Sequence, residues 1–208
     1  MTQLWIVGLA AVCLSSVTVR AEGTSGNDLR TIRVGMQAAA LPDSGYADLN
    51  CADGETPLPS WQRWRDCRPN AAGLRKVSFR YNDTPDHETL VAGQPVLLSL
   101  AIADEGVVQS LTMQSDPSGR AFLRKRGIHL GERVMNHYGE SGWTCTDGEQ
   151  AAGEEPVGTL FVRSHCEKTL GLRFLVVDRA LFRRAGQSQD TFVSQTVFTL
   201  SLVKPHAP

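Results

Sequence analysis

The chain lacks any excess of charge. Its 21 lysines and arginines nearly balance 22 aspartates and glutamates, for a formal charge of −1. No global field therefore draws it to polyanions such as nucleic acid, or to anionic lipid. It also lacks a long hydrophobic run: the longest, residues 4–14, is too short to cross a bilayer as a helix. No C-x-x-C occurs, which speaks against a thioredoxin-like redox site and, without C-x-x-C-H, against covalent haem. G-x-S-x-G, H-E-x-x-H, G-x-G-x-x-G and a Walker-type phosphate loop are all missing. What is present is a 208-residue chain with 41% hydrophobic and 21% charged residues. That balance excludes a disordered tail, a collagen-like fibre and a multi-span membrane protein, and the length suits one domain.

The apolar run Leu4–Leu14 is followed by small and polar residues ending Val19-Arg20-Ala21. This is the layout of a secretory signal peptide cleaved after Ala21, although Met1-Thr2-Gln3 carries no basic residue. Cleavage removes one arginine and no acid, leaving 20 basic and 22 acidic side chains, a charge of −2. No later segment is long and apolar enough to span a membrane, so a soluble periplasmic or secreted protein is expected. Beyond the leader remain Cys51, Cys67, Cys145 and Cys166, an even set suited to an oxidising compartment. Three pairings are formally open. Cys51–Cys67 and Cys145–Cys166 are favoured because each brackets a polar loop rich in turn residues. A zinc site using these thiols with His165 or His137 lacks finger-type spacing, and no metal or cofactor is expected.

Residues 22–28 read as a flexible leader. Leu29–Met36 alternates apolar and polar residues ahead of Ala38-Ala39-Ala40, which predicts a short strand entering a helical turn. Pro42–Gly73 is rich in proline, glycine and aspartate and too long for a bare connection unless Cys51–Cys67 staples it. Ser60 is placed to cap one turn that carries Trp61 and Trp64 on one face. From Leu74 the period becomes two, which predicts a half-buried strand over Leu74–Tyr81; Pro95–Ala103 is nearly all apolar, as in a central strand, and Asp104-Glu105-Gly106 turns it into a partner strand Val107–Met113. Ser115 or Asp116, with Pro117 behind it, opens a helix over residues 117–138. Its stripe is Leu123, Gly127, Leu130, Val134 and Tyr138, and Gly139 is its C-terminal cap. Gly127 and Gly131 cost about 1 kcal/mol each against alanine inside a helix, which makes sense only if the helix lies very close to a sheet. Then come a short strand Trp143–Thr146, an acidic loop, a hairpin of Val157–Cys166 with Leu172–Asp178, a basic turn (Arg179, Arg183, Arg184, Ala185-Gly186) and a closing strand Phe192–Val203.

The fold expected is α+β: an antiparallel sheet of hairpins packed on one main helix (117–138), with an N-terminal disulfide-stapled loop region. Residues 22–208 form one domain, loop-rich over 22–73, sheet and helix over 74–203. Two marks carry a resemblance: Ile32-Arg33-Val34-Gly35-Met36, and the helix ending Tyr138-Gly139 followed by hairpins and a strand ending Val177-Asp178. The layout resembles small secreted bacterial modules of the PepSY-like and beta-lactamase-inhibitor-protein-like kinds, in which a curved antiparallel sheet grips a helix. The resemblance covers mainly residues 117–203 and implies non-catalytic binding or inhibition. It carries over no functional residue.

Catalytic residues are not expected. Ser164 and His165 are strand neighbours that point to opposite faces; His129 and His137 lie two helical turns apart, too far for one metal; His87 and His206 sit in polar or terminal contexts. Aromatic residues make up only 7% of the chain, so Trp61-Gln62-Arg63-Trp64-Arg65 stands out. Indoles interleaved with guanidinium groups can hold an anionic or aromatic ligand, or a partner loop. The alternative is that Trp61 and Trp64 pack the stapled loop onto the sheet while Arg63 and Arg65 face water. Trp143 is either an exposed anchor or a cover for the neighbouring disulfide. The expected function is that of an exported binding or inhibitor-like protein whose partner is a protein or cell-envelope component. A small secreted hydrolase with a site assembled only in the fold, or a structural envelope protein, is the alternative.

Overall fold

Alternation of apolar and polar residues governs most of the chain in the computed structural model, which describes residues 27–52, 54, 56–83 and 88–202. The expected signal peptide lies outside these residues. The strands are β1 (Tyr46–Cys51), β2 (Arg75–Tyr81), β3 (Thr89–Val91), β4 (Gln94–Ile102), β5 (Val108–Ser115), β6 (Thr144–Asp147), β7 (Glu154–Glu155), β8 (Val162–Leu170), β9 (Arg173–Arg184) and β10 (Val193–Ser201); β4 is nearly continuous apolar, and β6 and β7 are polar at the sheet margins. All pair antiparallel in the order β1-β2-β4-β5-β10-β9-β8-β6, with β3 on β4 and β7 on β9. Strand β10 lies between β5 and β9, so the last strand joins an N-terminal set of hairpins to a C-terminal one.

The register puts one apolar row across almost the whole sheet: Phe79, Leu98, Met113, Phe198, Val177, Cys166 and Cys145 are successive cross-strand partners. A second row runs Val77, Leu100, Leu111, Leu200, Leu175. Most of these side chains are completely buried, each contributing about 1.5–3 kcal/mol by leaving water. They are covered by the segment holding Ile32, Val34 and Ala38, by a 3₁₀ turn over Trp61–Asp66 and by the helix α2 (His129–His137), which follows a four-residue helix α1 (Ala121–Arg124) that buries no side chain. All of these covering elements lie on this one face.

The structure is therefore more β-rich than the expected packing on one helix. The helix over 117–138 is interrupted at residues 125–128, where amides of 126, 127, 129 and 130 bond carbonyls three residues back. The reason lies in the sheet. Thr196 Oγ1 donates to the carbonyls of Gly127 (2.9 Å) and Ile128 (3.3 Å), and Ser194 Oγ accepts from Ile128 N–H at 3.0 Å. These hydroxyls satisfy backbone groups that a continuous helix would pair internally. Gly127 is pressed so close that a β-carbon there would sit 2.3 Å from the Ser194 carbonyl. Asp116 caps no helix; its carboxylate accepts from Ser118 N–H (2.8 Å) and Oγ (2.6 Å) and from Arg80 (2.7 Å). The C-terminal end is as expected, with Gly139 at φ +88° and Lys168 Nζ donating to the carbonyls of Tyr138, Gly139 and Ser141.

Three further differences concern strands. Residues 29–36 form turns and an isolated Leu29–Ile32 bridge, not a strand. The stapled loop region contains a true strand, β1, bulged at residues 47–50 with Asp48 at φ +51°. Of the residues expected as a basic turn, Arg179 to Arg184 continue β9, because their partners on β10 and β8 extend the ladder through Phe182 and Leu181, and only Ala185-Gly186 turn. The disulfides are Cys51–Cys67 and Cys145–Cys166, the pairing favoured from the bracketed loops.

Candidate functional site

The turn over Trp61–Asp66 is positioned by the residues on its C-terminal side. Cys67 bonds Cys51 at the end of β1, and Arg75 at the start of β2 donates to the carbonyls of Cys67 (2.6 Å) and Arg65 (3.2 Å). Ser60 precedes the turn but its side chain makes no capping bond. The structure places both indoles inside: Trp61 is 1% exposed and Trp64 2%. Trp61 packs edge-on against Tyr46 and Phe79, with ring centroids 5.2 and 5.1 Å apart. The solvent side of the turn is therefore guanidinium. Arg63 pairs with Asp66 three residues on, and Arg65 lies over the Trp64 ring at 4.3 Å while donating to the Asp104 carbonyl.

Trp143 is nowhere near this turn. It precedes β6 at the opposite edge of the sheet, half-buried, with Nε1–H donating to the Gly139 carbonyl at 2.9 Å and the Lys168 ammonium 5.5 Å above its ring. The structure thus brings Trp61, Arg63, Trp64 and Arg65 together and leaves Trp143 apart.

The face of the sheet away from the helices carries a different set of residues. Across it run Ser78, Ser99, Thr112, Thr199, Val176, Glu167 and Thr144 as successive cross-strand partners. Beside them run Leu97, Gln114, Val197, Asp178, His165 and Thr146. Thr112 and Thr199 hydroxyls meet at 3.4 Å. No described helix covers these rows. Most of these side chains are half-buried, with Ser99 and Val176 buried and Asp178, His165, Thr144 and Thr146 exposed.

His165 lies on this face between two carboxylates. Its Nδ1 is 2.7 Å from Asp178 Oδ1 and its Nε2 is 3.1 Å from Glu167 Oε1. Hydrogen bonds from the imidazolium to Asp178, then to Glu167, hold its pKa above the ordinary histidine value. With both ring nitrogens engaged by carboxylates, the ring has no free lone pair to take a proton from a nucleophile, so this is a charge cluster and not an acid–base pair. The sequence carries part of this signal: Arg163, His165 and Glu167 alternate and must share a face. Asp178 joins them only through the β8–β9 register. Among the described residues, no group of histidine, cysteine and carboxylate side chains is arranged to hold a metal ion, and no helix is long and apolar enough to cross a membrane.

Fold and site together describe an antiparallel β-sheet protein with two disulfides, one helix-covered face and one polar face that no described helix covers. Comparison with known proteins finds no family model, no curated protein and no solved structure that matches the chain.

Proposed function

We propose that this is an exported, non-catalytic binding protein that docks a protein partner of the cell envelope on the uncovered face of its sheet. One observation carries the reading: seven strands contribute to a row from Ser78 to Thr144 that is polar except at Val176, with no described helix over it. Rows of short hydroxyls with half-satisfied donors and acceptors accept a partner's side chains with little loss of conformational freedom. The Asp178–His165–Glu167 cluster supplies charge at one end, which orients an incoming surface, whereas Arg163 is paired with Glu154. Burial of Trp61 and Trp64 leaves their own loop without an aromatic anchor to offer a partner. The likeness to inhibitor-type modules belongs to the same proposal, since such modules present a curved sheet. Two disulfides fit the oxidising compartment to which a cleaved leader would send the chain.

Site-specific photo-crosslinking tests the reading. A benzophenone side chain at Thr112 or Thr199, in cells exporting the full chain, is expected to give one discrete adduct. The same probe at Arg124, on the helix side, is expected to give none, and Thr112→Arg with Thr199→Arg is expected to abolish the adduct in a folded protein. Identical adducts from both faces, or none from either, would remove this face from consideration.

A further inference from the structure

On the opposite face, between α2 and the sheet, lies a cavity of about 400 Å³, within the size range of small-molecule sites. Its floor is Leu111, Met113 and Phe198, and its inner wall is Leu130 and Val134 of α2. All five are buried. Tyr138 closes one end, stacked on Phe198 at 5.5 Å. The outer wall is Leu29 and Arg30 on one side and the β3–β4 turn at Val91 and Ala92 on the other. Arg30 (φ +51°) and Ala92 (φ +49°) are two of the three non-glycine residues in left-handed conformation among those described. Both stand in two-residue turns, Ala92 with Gly93 between Val91 and Gln94 and Arg30 with Thr31 between Leu29 and Ile32, so two tight turns form the rim of the same space.

The charges at the mouth are unequal. Asp28 accepts from Val34 N–H at 2.7 Å and pairs with Arg173, so its charge is compensated. Arg30 pairs with Asp83 and lies over the Tyr81 ring at 3.9 Å. Arg133 donates only to the Ala92 carbonyl and has no carboxylate partner among the described residues. His137 stands one turn further along the same helix, its ring edge-on to Tyr138. Apolar depth with one uncompensated guanidinium at the rim calls for an apolar body bearing a single anionic head.

We propose that this cavity binds a small amphipathic carboxylic acid, its chain or ring on Met113 and Phe198 and its carboxylate on Arg133, with His137 beside it. The site is independent of the docking face, which lies across the sheet.

Calorimetric titration of the full mature chain with decanoate tests it. Saturable one-to-one binding is expected. Arg133→Gln, at an exposed helix position, is expected to weaken it about tenfold, the loss of one charge-assisted hydrogen bond. Val134→Trp, which fills the cavity, is expected to abolish binding with native circular dichroism retained. Should that variant fail to fold, Arg133→Gln still decides. Absence of saturation at millimolar decanoate, equal affinity for decanol, or an unchanged affinity in Arg133→Gln would overturn the proposal. So would co-sedimentation with phosphatidylglycerol vesicles that excess decanoate does not compete, since that would place the anion on a membrane surface.

Discussion

At the scale of single residues, the two tryptophans of the 3₁₀ turn and the arginines between them have opposite roles. Trp61 is among the largest fully buried side chains, so Trp61→Ala is expected to cost about 3–5 kcal/mol in chemical denaturation. Arg63→Ala, which removes only an exposed pair with Asp66, is expected to change stability by less than about 0.5 kcal/mol. Equal effects would contradict this division. Spacing three apart showed that the indoles share a side; it could not show which side faces the sheet, because that depends on where Tyr46 and Phe79 arrive. His165 gives a pH dependence of definite sign. Its pKa is raised in the folded chain by Asp178 and Glu167, so the associated stabilisation is complete below the unfolded value and fades as pH rises through the folded one. An NMR titration of the ring is expected to show a midpoint above about 6.5, moving down in Asp178→Asn. A midpoint at or below the ordinary value would refute the cluster.

At the scale of elements, the interrupted helix shows how a local pattern yields to its neighbours. The apolar stripe and the two glycines were legible, and so was the reason for the glycines: close approach to a sheet. The break at 125–128 was not, because it depends on Ser194 and Thr196, which arrive from the last strand. The two glycines should respond differently to alanine. At Gly127 the obstacle is the Ser194 backbone carbonyl, whereas at Gly131 it is side-chain atoms, Arg179 Cδ at 2.5 Å and Thr196 Oγ1 at 3.3 Å from the added carbon. Gly127→Ala is expected to destabilise by about 1–3 kcal/mol, despite alanine's better helix propensity, and Gly131→Ala by clearly less. The reverse order in thermal melts would be inconsistent with this packing. The disulfides differ in the same spirit. Each closes a loop worth about 3 kcal/mol in the chain-entropy account, but Cys51 and Cys67 are both buried, whereas Cys145 sits on the exposed edge strand β6. Replacing Cys145 and Cys166 by serine is expected to raise hydrogen exchange chiefly in residues 144–147. Replacing Cys51 and Cys67 is expected to loosen β1 and the tryptophan turn together.

At the scale of the whole molecule, the governing fact is asymmetry: the described helices and the tryptophan turn all cover the sheet from one side. The cavity beneath α2 and the polar face across the sheet are both consequences. Export has its own check, since amino-terminal sequencing of the protein from its host is expected to begin at Glu22. Two disulfides also require that the native and reduced masses differ by four hydrogens. By itself, the sequence determined the strands β2, β4, β5 and β10, the close approach of the helix at its glycines, and the bracketing of each loop by a cysteine pair. All of these are set by residues close together in the chain, through side-chain period and turn chemistry. Only the tertiary structure decided that β10 enters between β5 and β9, that Asp178 meets His165, that Ser194 and Thr196 break the helix, and which face stays bare. Those outcomes rest on contacts between distant segments, whose registers are selected by the packing of the completed sheet and are written in no single stretch of residues.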